Sequence, residues 1–239
     1  VYLYSSEHSP SKPQWRGSMI RCVDINTGAE VWTIDTWGSG ALIADGYFVT
    51  LNNYDNQIYC YGKGKTEITV TAPQGVITKG SSAIIIGNIK DMSPGAKGTP
   101  AIADEHMTQW MEYLYMQQPI PGDATGVPVK LKAIGEDGST HTIGTATSDM
   151  SGMFSMMWTP PAEGKYTIVA SFEGSKSYWP SYAETAIGVT ASQPDVSGPT
   201  PTQAVNPTGS SDASLYIAIA AAVVIIAVIA AAIALRRRK

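Results

Sequence analysis

Three histidines, two cysteines and a run of methionines are the side chains best suited to chemistry in this chain. Their spacing limits what they can do. His8, His106 and His141 fall in separate segments, and none has a second ligand at the short spacing a metal site uses. His106 lies four residues after Ile102 and four before Trp110, on or beside an apolar stripe, which reads as a packed or surface histidine. No Gly-x-Ser-x-Gly, Cys-x-x-Cys or phosphate-binding loop occurs. Asn52-Asn53-Tyr54-Asp55-Asn56 offers oxygen ligands for calcium, but such clusters mostly build turns. Seven of the nine methionines lie between Met107 and Met157, a density that suits a deformable core or contact surface better than a Cu(I) site. No catalytic, cofactor or metal site is therefore expected, and the remaining signals concern architecture.

The strongest of them is at the C-terminus. Leu215 to Leu235 is an unbroken apolar run, followed at once by Arg236-Arg237-Arg238-Lys239. Twenty-one residues of helix span roughly 30 Å, the thickness of a bilayer's hydrocarbon core. The segment reads as a transmembrane helix whose partner is lipid, with the four cations as a cytoplasmic stop and residues 1–214 outside. Residues 192–214, rich in Pro, Ser, Thr and Gly, read as a flexible stalk. An exported chain that begins with Val and shows no signal peptide is expected to be a processed product or a fragment. The net charge is −4, of which the tail contributes +4, leaving −8 for residues 1–235. An acidic ectodomain of this kind argues against nucleic acid as a partner.

Residues 1–64 carry an internal repeat. Ile20-Arg21-Cys22-Val23-Asp24 aligns with Ile58-Tyr59-Cys60-Tyr61-Gly62 at a spacing of 38 residues, close to the length of a β-propeller blade. Short strands are expected at Glu30–Asp35, Ala41–Ala44, Tyr47–Leu51 and Gln57–Tyr61, with Asp45-Gly46 as a tight turn. Asp24-Ile-Asn-Thr27-Gly28-Ala-Glu-Val-Trp32 fits an Asp-x-x-Thr-Gly-x-x-x-Trp pattern and resembles the blades of pyrroloquinoline-quinone-type propellers. That resemblance implies structural roles for Asp24, Thr27, Gly28 and Trp32: a hairpin turn, and an indole docked on the neighbouring blade. About two blades are present, fewer than the four or so a ring needs. Cys22 and Cys60, at equivalent points of successive blades, are expected to be too far apart for a disulfide. The second blade loses its pattern after Tyr61. Either a strand from an N-terminal part of a longer chain pairs with Gln57–Tyr61, or Thr66–Ala72 serves as the fourth strand.

Residues 65–191 read as an all-β domain with strands at Thr66–Ala72, Ser81–Lys90, Val127–Ala133, Thr140–Thr147, Gly152–Thr159, Lys165–Phe172 and Ala183–Val189. Val127, Val129, Leu131 and Ala133 alternate with Pro128, Lys130 and Lys132; Tyr166, Ile168, Ala170 and Phe172 share a face in the same way. Gly164-Lys-Tyr166 resembles the tyrosine corner of immunoglobulin-like sandwiches. The segments Gly126–Leu131, Thr147–Phe154, Trp158–Tyr166 and Ala170–Tyr178 are similar to prokaryotic surface Ig-like repeats. One segment departs from that pattern: a helix is expected within 100–118, with Thr99 as N-cap, Pro100 in the first turn and Pro119 as stop. Its stripe of Met107, Trp110, Met111, Leu114 and Tyr115 either packs on the sandwich or forms a docking face for the propeller or another protein.

The fold expected is thus mainly β: partial propeller blades, an Ig-like sandwich with one inserted helix, and a single transmembrane helix. The function expected is extracellular binding, adhesion or scaffolding toward another surface protein or a glycan, as in exported archaeal surface proteins. The alternative is the C-terminal part of a membrane-anchored quinoprotein dehydrogenase, whose cofactor site would lie in other blades.

Overall fold

The computed structural model describes residues 1–6 and 17–191. His8, the stalk, the apolar run 215–235 and the basic tail lie outside the described residues. Among the described residues no helix is long and apolar enough to cross a membrane. The described residues form one compact unit, mainly of β-strands, with two separate apolar cores.

The smaller core lies between two three-stranded antiparallel sheets. The first takes strands β1 (Tyr2–Tyr4), β2 (Met19–Val23) and β3 (Glu30–Asp35) in that order; the second takes β4 (Gly38–Ala44), β5 (Tyr47–Asn52) and β6 (Gln57–Tyr61). Alternation decides what faces what. Tyr2, Cys22 and Trp32 stand in register across the first sheet, as do Tyr4, Ile20 and Ile34, and this face meets Phe48 and Tyr61 of the second. Tyr2 stacks on Phe48 at 4.3 Å between ring centroids, and Trp32 on Tyr61 at 5.8 Å. Ile20, Ile34 and Phe48 are buried here, each burial contributing roughly 1.5–3 kcal/mol.

The larger core lies between two further sheets. One orders β12 (Met153–Trp158), β9 (Ala83–Asp91) and β7 (Thr66–Thr71). The other orders β11 (Thr140–Thr147), β10 (Pro128–Gly135), β13 (Gly164–Phe172), β14 (Ser181–Thr190) and β8 (Ile77–Thr78), the last pairing parallel to β14. The expected alternation holds: Val127, Val129, Leu131, Ala133, Tyr166, Ile168, Ala170 and Phe172 are all buried in this core. The Tyr166 hydroxyl donates to the Ala162 carbonyl at 3.0 Å. Gly87 in β9 leaves room for the Phe154 ring; a Cβ there would collide with the ring and with the Thr69 carbonyl.

One alternative is excluded and one expectation is corrected. Thr66–Thr71 pairs with β9 and not with β6, so it is not a fourth strand of the second sheet. Its alternating Ile68 and Val70 point into the larger core, and pairing with β9 is what buries them. The helix is also shorter than the 100–118 segment suggests: a 3-10 turn at Asp104–His106 leads into α1, Met107–Tyr115. Pro100 and Ile102 instead form isolated bridges to Lys90 and Gly126, and Ala101 and Ile102 are fully buried. The Thr99 hydroxyl donates to the Ala96 carbonyl and caps nothing. Burying two apolar residues in extended backbone outweighs the local helix-start signal there.

Candidate functional site

Helix α1 sits where the two cores meet. Met107 packs against the larger core, whereas Met111, Tyr115 and the following Met116 pack with Ile20, Ile34 and Phe48. Trp110 is buried and lies 5.3 Å from Tyr113 between ring centroids; Leu114 is half-buried. Glu112 adds a polar tie, its Oε1 accepting the Asp35 amide at 2.9 Å. Burial pushes the Glu112 carboxyl up, and that amide pulls it partly back. Tyr115 meets Tyr59 edge-on at 5.8 Å. Stripe residues are thus divided between two cores rather than assigned to one.

A second tie comes from Asp104. Its Oδ1 accepts from the Ser175 hydroxyl (2.9 Å) and the Ser177 amide (3.0 Å), and its Oδ2 from the Lys176 amide (2.9 Å). Burial alone would raise this carboxyl, but the bonds from Ser177, Lys176 and Ser175 outweigh it and hold the group below its ordinary value. Beside this loop, the buried Tyr178 hydroxyl donates to Asp91 Oδ2 at 3.1 Å.

The Asp24 motif is a turn. Asp24 Oδ1 accepts from the amides of Asn26 (2.9 Å) and Thr27 (2.8 Å) and from the Thr27 hydroxyl (3.0 Å). Gly28 follows at φ 72°, which a residue with a side chain adopts only under strain. Trp32 leaves the turn to stack on Tyr61 of the next sheet. The Asn52–Asn56 cluster spends its oxygens in the same way. Asn52 Oδ1 accepts the Tyr54 amide, and Asp55 accepts the Gln57 amide and the Tyr59 hydroxyl. Cys22 and Cys60 are free, Cys22 facing the gap between sheets and Cys60 exposed. No group of three or more His, Cys, Asp or Glu side chains is placed to hold a metal among the described residues. His106 is half-buried beside α1, and His141 lies in β11, where its ring bonds Ser139.

The sequence reading missed an exposed apolar sheet face. On the second sheet, Leu42, Val49 and Cys60 stand in register, with Leu51 beside Ile58 and Ala44 beside Tyr47. Leu42 is 72% exposed and Ile58 75% exposed, while Tyr47, Leu51 and Cys60 are also exposed. These seven positions carry no charged side chain. Monomeric proteins rarely leave a contiguous apolar sheet face open without a partner for it. The signal was available in the alternation of Tyr47, Val49 and Leu51, but alternation alone would bury that face, whereas the structure buries the opposite one, Phe48, Thr50 and Asn52.

No known protein family matches the chain, and comparison with curated proteins finds no relative.

Proposed function

We propose that this protein is a membrane-anchored extracellular binding or scaffold protein. Strands β1–β6 are read as two blades of a β-propeller, carried on an Ig-like sandwich of β7–β14, with a stalk and a transmembrane helix at 215–235 beyond. The observation that carries the binding role is the uncharged, uncovered face of Leu42, Tyr47, Leu51 and Ile58, held on a unit that α1 bolts to the sandwich. A face of that composition gains from being covered and loses nothing to charge desolvation. Support for the sandwich reading comes from the Tyr166 hydroxyl, which bonds to the backbone four residues upstream as a tyrosine corner does. Support for the blade reading comes from the 38-residue repeat and from Trp32 stacked on the following sheet. Support for the anchor comes from the apolar run and its terminal cations.

Protease added to intact cells tests the topology. The expected result is loss of the ectodomain with a short membrane stub retained, and release of soluble protein when the chain is truncated before Leu215. An ectodomain protected until lysis overturns the reading.

A further inference from the structure

The two small sheets can be superposed strand for strand through their registers. Tyr2 and Tyr4 of β1 pair with Cys22 and Ile20 of β2; Val49 and Leu51 of β5 pair with Cys60 and Ile58 of β6. With the 38-residue offset this makes β2 the counterpart of β6, and β1 the counterpart of β5. The first sheet continues on the far side of β2 with β3, which places Trp32 opposite Cys22. The second sheet has nothing there: among the described residues no strand pairs with the far side of β6.

That edge is built for a partner. In β2 the amide of Val23 donates to Val1 and the carbonyl of Met19 accepts from Ser5, so alternate residues Ile20 and Cys22 aim their backbone groups at β3. By the same register Ile58 and Cys60 aim theirs at the open edge. Natural edge strands are blunted with charge, proline or a bulge. Gln57-Ile-Tyr-Cys-Tyr61 has none of these, is rich in strand-favouring residues, and pairs with β5 without a register shift.

We infer that the open edge of β6 receives an extended strand of the β3 type, running antiparallel to Gln57–Tyr61 and setting an aromatic side chain opposite Cys60. The occupant is defined by chemistry: an Ala-Glu-Val-Trp-Thr-Ile-Asp-like segment whose indole falls on the apolar face beside Ile58. Backbone bonds supply affinity, and the Trp and Ile of the segment, opposite Cys60 and Ile58 as Trp32 and Ile34 are opposite Cys22 and Ile20, together supply register, so the Ile alone still aligns a peptide whose Trp is replaced. The inference rests on the repeat equivalence and does not require the chain to be membrane-anchored, so it can fail or stand independently of the topology experiment.

The test uses Cys60 as a register probe in the full chain carrying Cys22→Ser. Peptides of residues 29–37 are made with Trp32→Cys, Val31→Cys or Thr33→Cys, each as a mixed disulfide with thionitrobenzoate. The Cys60 thiolate attacks the peptide sulfur, the Cys60–peptide disulfide forms, and thionitrobenzoate leaves with the electron pair of the broken bond. The pairing predicts that the Trp32→Cys peptide reacts at least about ten-fold faster than the other two, because orientation favours the facing pair. It also predicts that the advantage vanishes in urea and that amide exchange at Ile58 and Cys60 slows in the product. Equal rates for the three peptides in the folded protein overturn the inference. A Cys60–Cys60 dimer that shuts out all three also overturns it, because the occupant would then be a second copy of β6.

Discussion

Among the described residues Met116 is one of four buried side chains in the smaller core, with Ile20, Ile34 and Phe48, and it reaches that core from the end of α1. Met116→Ala removes most of a 4%-exposed side chain from a cluster too small to close over the gap. Truncations of this kind cost about 2–5 kcal/mol, and poor collapse in a four-residue core places this one at about 3 kcal/mol. None of that loss falls on the larger core, whose 21 buried residues do not include Met116. The first two sheets should therefore open on their own while the larger pair stays closed. Native-state hydrogen exchange reads this directly. Amides of β2, β5 and β6 should exchange about 100-fold faster in the variant, following from 1.36 kcal/mol per decade, while those of β10 and β13 keep their wild-type rates. Equal acceleration in all five strands would show that the unit unfolds as one, and would refute the division into two energetic cores.

Two further outcomes concern pH. The Asp104 carboxyl titrates below its unfolded value, so its contribution is complete above about pH 3.9 and is lost as pH falls through the lower folded value. Acid should thus loosen residues 175–177 in exchange measurements before it unfolds β13, and Asp104→Asn should loosen the same loop at neutral pH; a loop indifferent to both would contradict the tie. At the alkaline end, burial foremost, with a hydrogen bond to Asp55, pushes the Tyr59 hydroxyl up to about 12, and burial raises Tyr61 and Tyr178 as well. Groups raised in the folded state contribute stability that is present below about pH 10 and lost as pH rises toward their folded values. Urea unfolding should show stability falling above about pH 10, less steeply in Tyr178→Phe; an unchanged slope in that variant would exclude Tyr178 as a contributor.

The sequence by itself determined the strands, because a half-buried strand writes its period of two into the chain: Val127 to Ala133 and Tyr166 to Phe172 needed no neighbour to be recognised. It also determined the turn at Asp24–Gly28, where side-chain and backbone bonds all lie within five residues. Tertiary structure alone decided which edges pair and which faces are covered. Thr66–Thr71 carries nothing that distinguishes β6 from β9 as its partner, since backbone groups are the same in every strand; the choice falls to where Ile68 and Val70 find a core. The start of α1 was decided in the same way, by the burial of Ala101 and Ile102 and by a loop 71 to 73 residues later that claims the Asp104 carboxylate. The exposed face of Leu42 and Ile58 was illegible for a related reason: Ile58 repeats Ile20, yet one is 75% exposed and the other fully buried, because Ile20 lies on the face of its sheet that packs against the second sheet, whereas Ile58 lies on the face of the second sheet turned away from the first.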